Sequence, residues 1–181
     1  MTPQKRSRTI LILVGLCFAA PMLASLILIR AGWMPNGRKN YGDLLSTPLP
    51  LVNAQLQNGT TFAWKTPEWY WTLLVRVPSQ CPASCLEQLE LVANVRDALA
   101  RNATKLRIAV ADPLPEGARL TAEAGVYQFA QPLDDSVSNA VPRPTGDARL
   151  ALVDPNGYVI LRYPEHADLA QVRKDLTKLV K

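Results

Sequence analysis

Apolar positions in this chain fall into one long run and a series of short ones, and the two kinds predict different structures. Residues 9–29 are 21 consecutive positions without a charge, rich in Leu, Ile, Val and Ala. About 20 such residues are needed to cross a bilayer as a helix, and Pro21 inside the run predicts a kink that membrane spans tolerate. Lys5, Arg6 and Arg8 precede the run and Arg30 follows it, with Arg38 and Lys39 a little further on. Positive flanks stay on the cytoplasmic side, so residues 1–8 are expected inside and everything after the span outside. A cleaved signal peptide has an apolar core of about 7–15 residues and an A-x-A-like site. Here the core is longer, and Pro21 directly follows the small pair Ala19-Ala20. Leu16 stands before Cys17 where a lipidated signal carries a small residue. The run is read as a retained anchor over 9–29, in which Cys17 is a small apolar residue.

The short runs predict one α/β domain over residues 51–181, held off the membrane by a tether over 30–50 that is rich in Gly and Pro. Segments 51–56 and 60–64 flank Gln57-Asn58-Gly59 and read as a hairpin with an Asn-Gly turn. Residues 71–77, Trp-Thr-Leu-Leu-Val-Arg-Val, read as a buried strand. In 86–99 Leu86, Leu89, Val92, Ala93 and Leu99 recur at roughly helical spacing, and 106–111 reads as a second central strand stopped at Asp112-Pro113. Residues 116–129 are moderately helical with an interruption at Gly125, and 131–147, with three prolines, read as a long loop. Residues 150–153 and 158–163 form a hairpin about Asp154-Pro155-Asn156-Gly157. The chain closes with a helix over 168–179, striped by Leu169, Val172, Leu176 and Leu179. The aromatic cluster Trp64, Trp69, Tyr70 and Trp71 is assigned to packing.

Charge changes this picture little. The 181-residue chain carries +5, but six of its 20 Lys/Arg and none of its 15 Asp/Glu lie in residues 1–40. The remainder has 14 basic against 15 acidic residues, with no interleaved basic and aromatic patch, which argues against nucleic acid as a partner.

The chemistry concentrates in Cys81-Pro82-Ala83-Ser84-Cys85, between the strand and the helix. A helix N-terminus presents unpaired N–H groups and a positive dipole end, and both favour a thiolate. Residues four apart in an ideal helix have Cα atoms about 6 Å apart, near the long end of what a disulfide accepts. Such a pair closes only if the first turn loosens or Cys81 lies outside the helix. Two thiolates also suit a soft cation such as copper(I), although they do not complete a structural zinc site. A structural disulfide, or two inert buried thiols, is the plain alternative.

With these motifs in place the exported part resembles the Sco proteins, membrane-anchored factors of thioredoxin-like fold that deliver copper to cytochrome oxidase. Cys81-Pro82-x-x-Cys85 is similar to the family's C-P-x-x-C, and Asp112-Pro113 to the D-P that ends its next strand. Residues 152–157, Leu-Val-Asp-Pro-Asn-Gly, are similar to its L-x-D-P-x-G hairpin. The resemblance implies a thioredoxin-like domain behind a single transmembrane helix, with Cys81 and Cys85 as redox residues and copper(I) ligands. It also implies a bacterial inner membrane with the domain in the periplasm. The partner is then a cytochrome oxidase subunit or another exported thiol protein. The family's third copper ligand is a histidine eight residues before the hairpin aspartate, where this chain has Gly146, and Leu86 stands where the family usually has a second proline. The single histidine, His166, follows the last strand and reads as a surface or capping residue, and Met34 lies in the tether. These departures favour a thiol reductant over tight metal delivery. A general thiol–disulfide oxidoreductase and a non-catalytic scaffold with a structural disulfide are the rival functions. The first normally uses C-x-x-C with a cis-proline directly before the facing strand, where this chain has Ala148, with Pro142 and Pro144 earlier in the loop.

Overall fold

The computed structural model describes residues 3–32, 40–118, 120 and 125–180. It divides into two compact units, Met1–Lys39 and Asn40–Lys181. The first contains the helix α1 (Pro3–Arg30), 28 residues with Pro21 inside. Its segment Ile12–Arg30 is long and apolar enough to cross a membrane.

The second unit runs through β1 (Asp43–Pro50), β2 (Ala54–Gln55), β3 (Thr61–Phe62), β4 (Trp71–Arg76), α2 (Ala83–Asp97), a 3-10 turn (Ala100–Lys105) and β5 (Leu106–Val110). It continues with β6 (Val126–Gln128), α3 (Asp135–Ala140), β7 (Arg149–Val153), β8 (Tyr158–Arg162) and α4 (Leu169–Leu179). Six strands form one mixed sheet in the order β1-β8-β7-β4-β5-β6, and β2 and β3 make a separate hairpin. β4, β5 and β6 are parallel, β7 runs against them, and β8 turns back antiparallel to β7. This is a thioredoxin-like α/β fold.

The apolar run of β4 is continuous because both sheet faces are covered. Leu73, Val75 and Val77 join Ile108, Leu150 and Leu152 under α2 and α4, in a core with Cys85, Leu89, Val92, Val172 and Leu176. Leu74, Ala109 and Ala151 face the other way, into a layer with Phe62, Trp64, Phe129, Val137 and Val141. In that layer the Trp64 indole stands edge-on to Phe62 at 5.0 Å and donates to the Val52 carbonyl at 2.8 Å. Of the aromatic cluster assigned to packing, Trp64 is buried and Trp69 is 62% exposed.

Three expectations need correction. Residues 43–50, expected in the tether, are β1, the edge strand paired with β8. Pro48 and Pro50 disguised it, yet an edge strand is where proline is tolerated, because one row of its N–H groups needs no partner. The segment is tied to the domain by Tyr41 and Gly42, whose N–H groups donate to the buried Asp175 Oδ2 at 2.7 and 3.1 Å. In the expected helix over 116–129, residues 126–128 are β6. Gly125, at φ +97°, breaks any helical continuation, and its carbonyl accepts the Ile108 N–H. Residues 119 and 121–124 of that expectation lie outside the described residues. The expected loop 131–147 contains α3, started by Asp134, whose side chain accepts from the Ser136 N–H at 2.7 Å. Six residues are too few to show a period.

Candidate functional site

The site is built where β4 ends and α2 begins. Cys81 lies two residues before the helix, and Pro82, the N-cap, is extended (φ −67°, ψ 174°), so Cys81 is outside the helical path. Its Cα is then 5.3 Å from that of Cys85, and the two are joined by a disulfide. The two sulfurs are not equivalent. Cys85 is fully buried against the core of Leu89 and Val92, whereas Cys81 is only half-buried at its edge. α2 has no side-chain cap and no acidic residue in its first turn. Its first N–H groups and positive dipole end therefore favour a thiolate at its start.

The loop entering Cys81 hangs from a buried ion pair. Asp112 Oδ2 accepts from Arg76 Nε at 2.7 Å and from the Val77 N–H at 3.0 Å, and Oδ1 accepts from Arg76 Nη2 at 3.3 Å. Arg143 adds a second cation, 3.5 Å from Asp112 Oδ1, and donates to the Val77 carbonyl at 3.0 Å. Asp112-Pro113, quoted in the resemblance, thus holds the backbone that leads into the cysteines. Arg76 was legible as an anomaly: a charge inside a buried strand needs a partner, and only the fold supplies it. The other quoted motif is remote. Asp154 Oδ1 accepts from the Asn156 and Tyr158 N–H groups in a turn at the Val153 end of β7, whereas Arg149 at the opposite end pairs with Arg76.

A second network lies beneath the cysteine loop. Ser84, inside C-x-x-x-C, donates from Oγ to Asp147 Oδ1 at 2.7 Å, and the other oxygen of Asp147 pairs with His166 Nδ1. His166 is a surface residue, its side chain 72% exposed, and it is not a cap, because Asp168 caps α4 by accepting from the Ala170 N–H. It holds a left-handed φ of 60°, uncommon for a residue with a Cβ. It also lies over Gly146, where an added Cβ would sit 3.9 Å from His166 Cε1. The fold therefore carries the chain's single histidine alongside Gly146. Among the described residues no group of three or more His, Cys, Asp or Glu is placed to hold a metal. The donors at the cysteine loop are two sulfurs, which suit copper(I) only when the disulfide is reduced to two thiolates.

The Ser84 hydrogen bond, opposed by burial and helped by His166, holds the Asp147 carboxyl below the usual carboxylate range. A depressed folded-state pKa adds stability that is present above the unfolded value and lost as pH falls through the folded one. The stability gap between wild type and Asp147→Asn is accordingly expected to narrow as pH falls below about 4. Thermal unfolding at a series of pH values measures it, and a gap that does not change between neutral and acid pH would show that ionisation of Asp147 contributes nothing.

The family model described as "transmembrane-like, thioredoxin-like, C-terminal domain" matches residues 71–181. No curated protein matches the chain in sequence. Among solved structures, apo Sco1 from Thermus thermophilus is similar at 14% identity and TM-score 0.52, over 78% of this chain and 96% of that one. BsSco, described as a member of the Sco family of cytochrome c oxidase assembly proteins with a disulfide switch, is similar at 15% identity and TM-score 0.51, over 77% and 99%. A SCO1/SenC family lipoprotein from Bacillus anthracis is similar at 13% identity and TM-score 0.50, over 76% and 99%. At these identities the likeness is one of fold.

Proposed function

Because the chain belongs to the family of transmembrane-like, thioredoxin-like C-terminal domains, we propose that it is a membrane-anchored thiol reductant. Its cysteine pair works outside the cytoplasm on a copper-oxidase subunit or another exported thiol protein. One observation carries the reading: a half-buried Cys81 is bonded to a fully buried Cys85 at a strand–helix junction. That asymmetry suits an attacking and a resolving thiol. In the reduced protein the Cys81 thiolate attacks one sulfur of a client disulfide, and the other client sulfur leaves as a thiolate and takes up a proton. Cys85 then loses its proton and attacks Cys81 Sγ, closing the Cys81–Cys85 disulfide and releasing the first client sulfur as the second thiol. Two electrons pass to the client, and an exported dithiol donor restores the pair. Asp112 and Arg76 position the loop.

Copper(I) is the alternative cargo of the same pair in its reduced state, held between two thiolates. The full-length chain in detergent micelles, reduced, is expected to convert an oxidised exported oxidase subunit to its dithiol form one for one. It is also expected to bind about one copper(I), released on oxidation, with copper(II) held weakly. His166→Ala is expected to leave copper(I) binding nearly unchanged. Loss of copper on that substitution would make the histidine a ligand, and failure to reduce any disulfide would leave the scaffold reading. A reporter fused after Lys181 is expected to be active only in its exported form, and activity of a cytoplasmic reporter would reverse the orientation.

A further inference from the structure

Down α2 from the cysteine loop, Ser84, Glu87, Gln88 and Leu91 fall at i, i+3, i+4 and i+7 and share one helix face. That face lines a groove of about 310 Å³, closed on its other side by Asp147 and by the residues from His166 to Leu169. Two features of the groove are unspent. Leu91 is 48% exposed at its far end. Gln88 is 7% exposed, yet neither Oε1 nor Nε2 has a hydrogen-bond partner among the described residues. A buried primary amide with both ends unmade is costly to the fold.

We infer that this groove binds an extended segment of the client polypeptide, whose main chain is read by the Gln88 amide. The inference rests on the thiol-exchange reading and names where that client lies. A carboxamide offers one acceptor and two donors in a plane, the complement of a peptide unit's N–H and C=O. From Ser84 to Leu91 the face runs about 10 Å, room for about three residues of extended chain. Because Ser84 lies inside the Cys81–Cys85 loop, a client sulfur at Cys81 brings its flanking residues over the groove. Leu91 and Leu169 then meet an apolar side chain, while Glu87, Asp147 and Asp168 disfavour acidic neighbours and favour basic ones.

The test uses the full-length chain in micelles with isotope-labelled glutamine. The probe is a blocked six-residue peptide of alanine and lysine with serine where the client's cysteine would stand. Its control is the same peptide with N-methylated main-chain amides. The Gln88 side-chain resonances are expected to shift with the first and not with the second, and Gln88→Met to weaken binding, followed at the Leu91 amide, about tenfold. The same variant is expected to unfold at or above the wild-type temperature, because it removes an unpaired buried amide. Resonances of Gln88 that stay put, or move equally with both peptides, overturn the proposal. So does a lower unfolding temperature for Gln88→Met, which would mean that the fold itself satisfies the amide. Shifts that follow chain concentration without peptide would mean that a second copy covers the groove, and they also overturn it. Reduction of 2-hydroxyethyl disulfide, too small to span the groove, is measured on the same sample. Its absence sinks the reductant reading while the resonances still decide the groove.

Discussion

Cys85→Ser will turn the protein into a trap that accumulates a mixed disulfide with its client through Cys81, and Cys81→Ser will accumulate none. The expectation follows from burial. Cys81 is half-buried at the edge of the core, and Cys85 lies inside it without exposed surface. For Cys85 to meet a client sulfur, the first turn of α2 has to open. A local opening that costs about 3 kcal/mol leaves it exposed under about 1% of the time. The two single variants should therefore differ about a hundredfold or more in adduct, read on non-reducing gels or by mass spectrometry of the full chain. Equal adducts from both would mean that the two thiols are interchangeable and that the division into attacking and resolving cysteine is wrong. Neither variant should unfold the domain, since the disulfide closes a loop of only three intervening residues and removes little chain entropy from the unfolded state.

Asp112→Ala is expected to be the most destabilising single substitution at the site, by about 3–5 kcal/mol. The alanine leaves the Arg76 guanidinium, 5% exposed in its side chain, inside the domain without its carboxylate. It also strips the Val77 N–H of its acceptor. A loss of that size is a large part of the 5–15 kcal/mol that holds a typical domain. The double variant Arg76→Met, Asp112→Leu separates the two contributions. Replacing both charges by apolar groups removes the buried unpaired ion and should recover most of the stability. The Val77 anchor stays lost, and with it part of the reducing rate, because the loop to Cys81 is no longer pinned. Urea unfolding followed by the emission of the buried Trp64 measures the first effect, and disulfide reduction the second. A double variant as unstable as the single one would show that the ion pair is not the source of the loss.

Local pattern carried the membrane-length run, the strand–cysteine–helix junction, the β7–β8 hairpin and the striped last helix. In each, the period of apolar residues records which face meets the core, and neighbours in sequence suffice to specify it. Even there the cysteine spacing left open whether the pair could close. Only the extended Pro82, which takes Cys81 off the helix, decided that it does. β1 and β6 were hidden because strand pairing is a contract with a distant segment: β1 exists because β8 offers it an edge, and β6 because β5 does. α3 is shorter than two turns and has no period to read. The charged partnerships were hidden for a related reason. Arg76 and Asp112 are 36 residues apart and Ser84 and Asp147 are 63 apart, so no window along the chain contains both members. Gly146 and His166 were correctly located along the chain, yet that one lies over the other is a property of the β7–β8 hairpin, which returns the chain to the level at which it left. The same holds for Gln88, one polar residue among many on a helix until α4 and the Asp147 loop closed over it. Sequence alone determined which faces are apolar and which residues can do thiol chemistry. Tertiary structure decided what those faces and thiols meet, because burial and hydrogen-bond satisfaction depend on residues far apart in the chain.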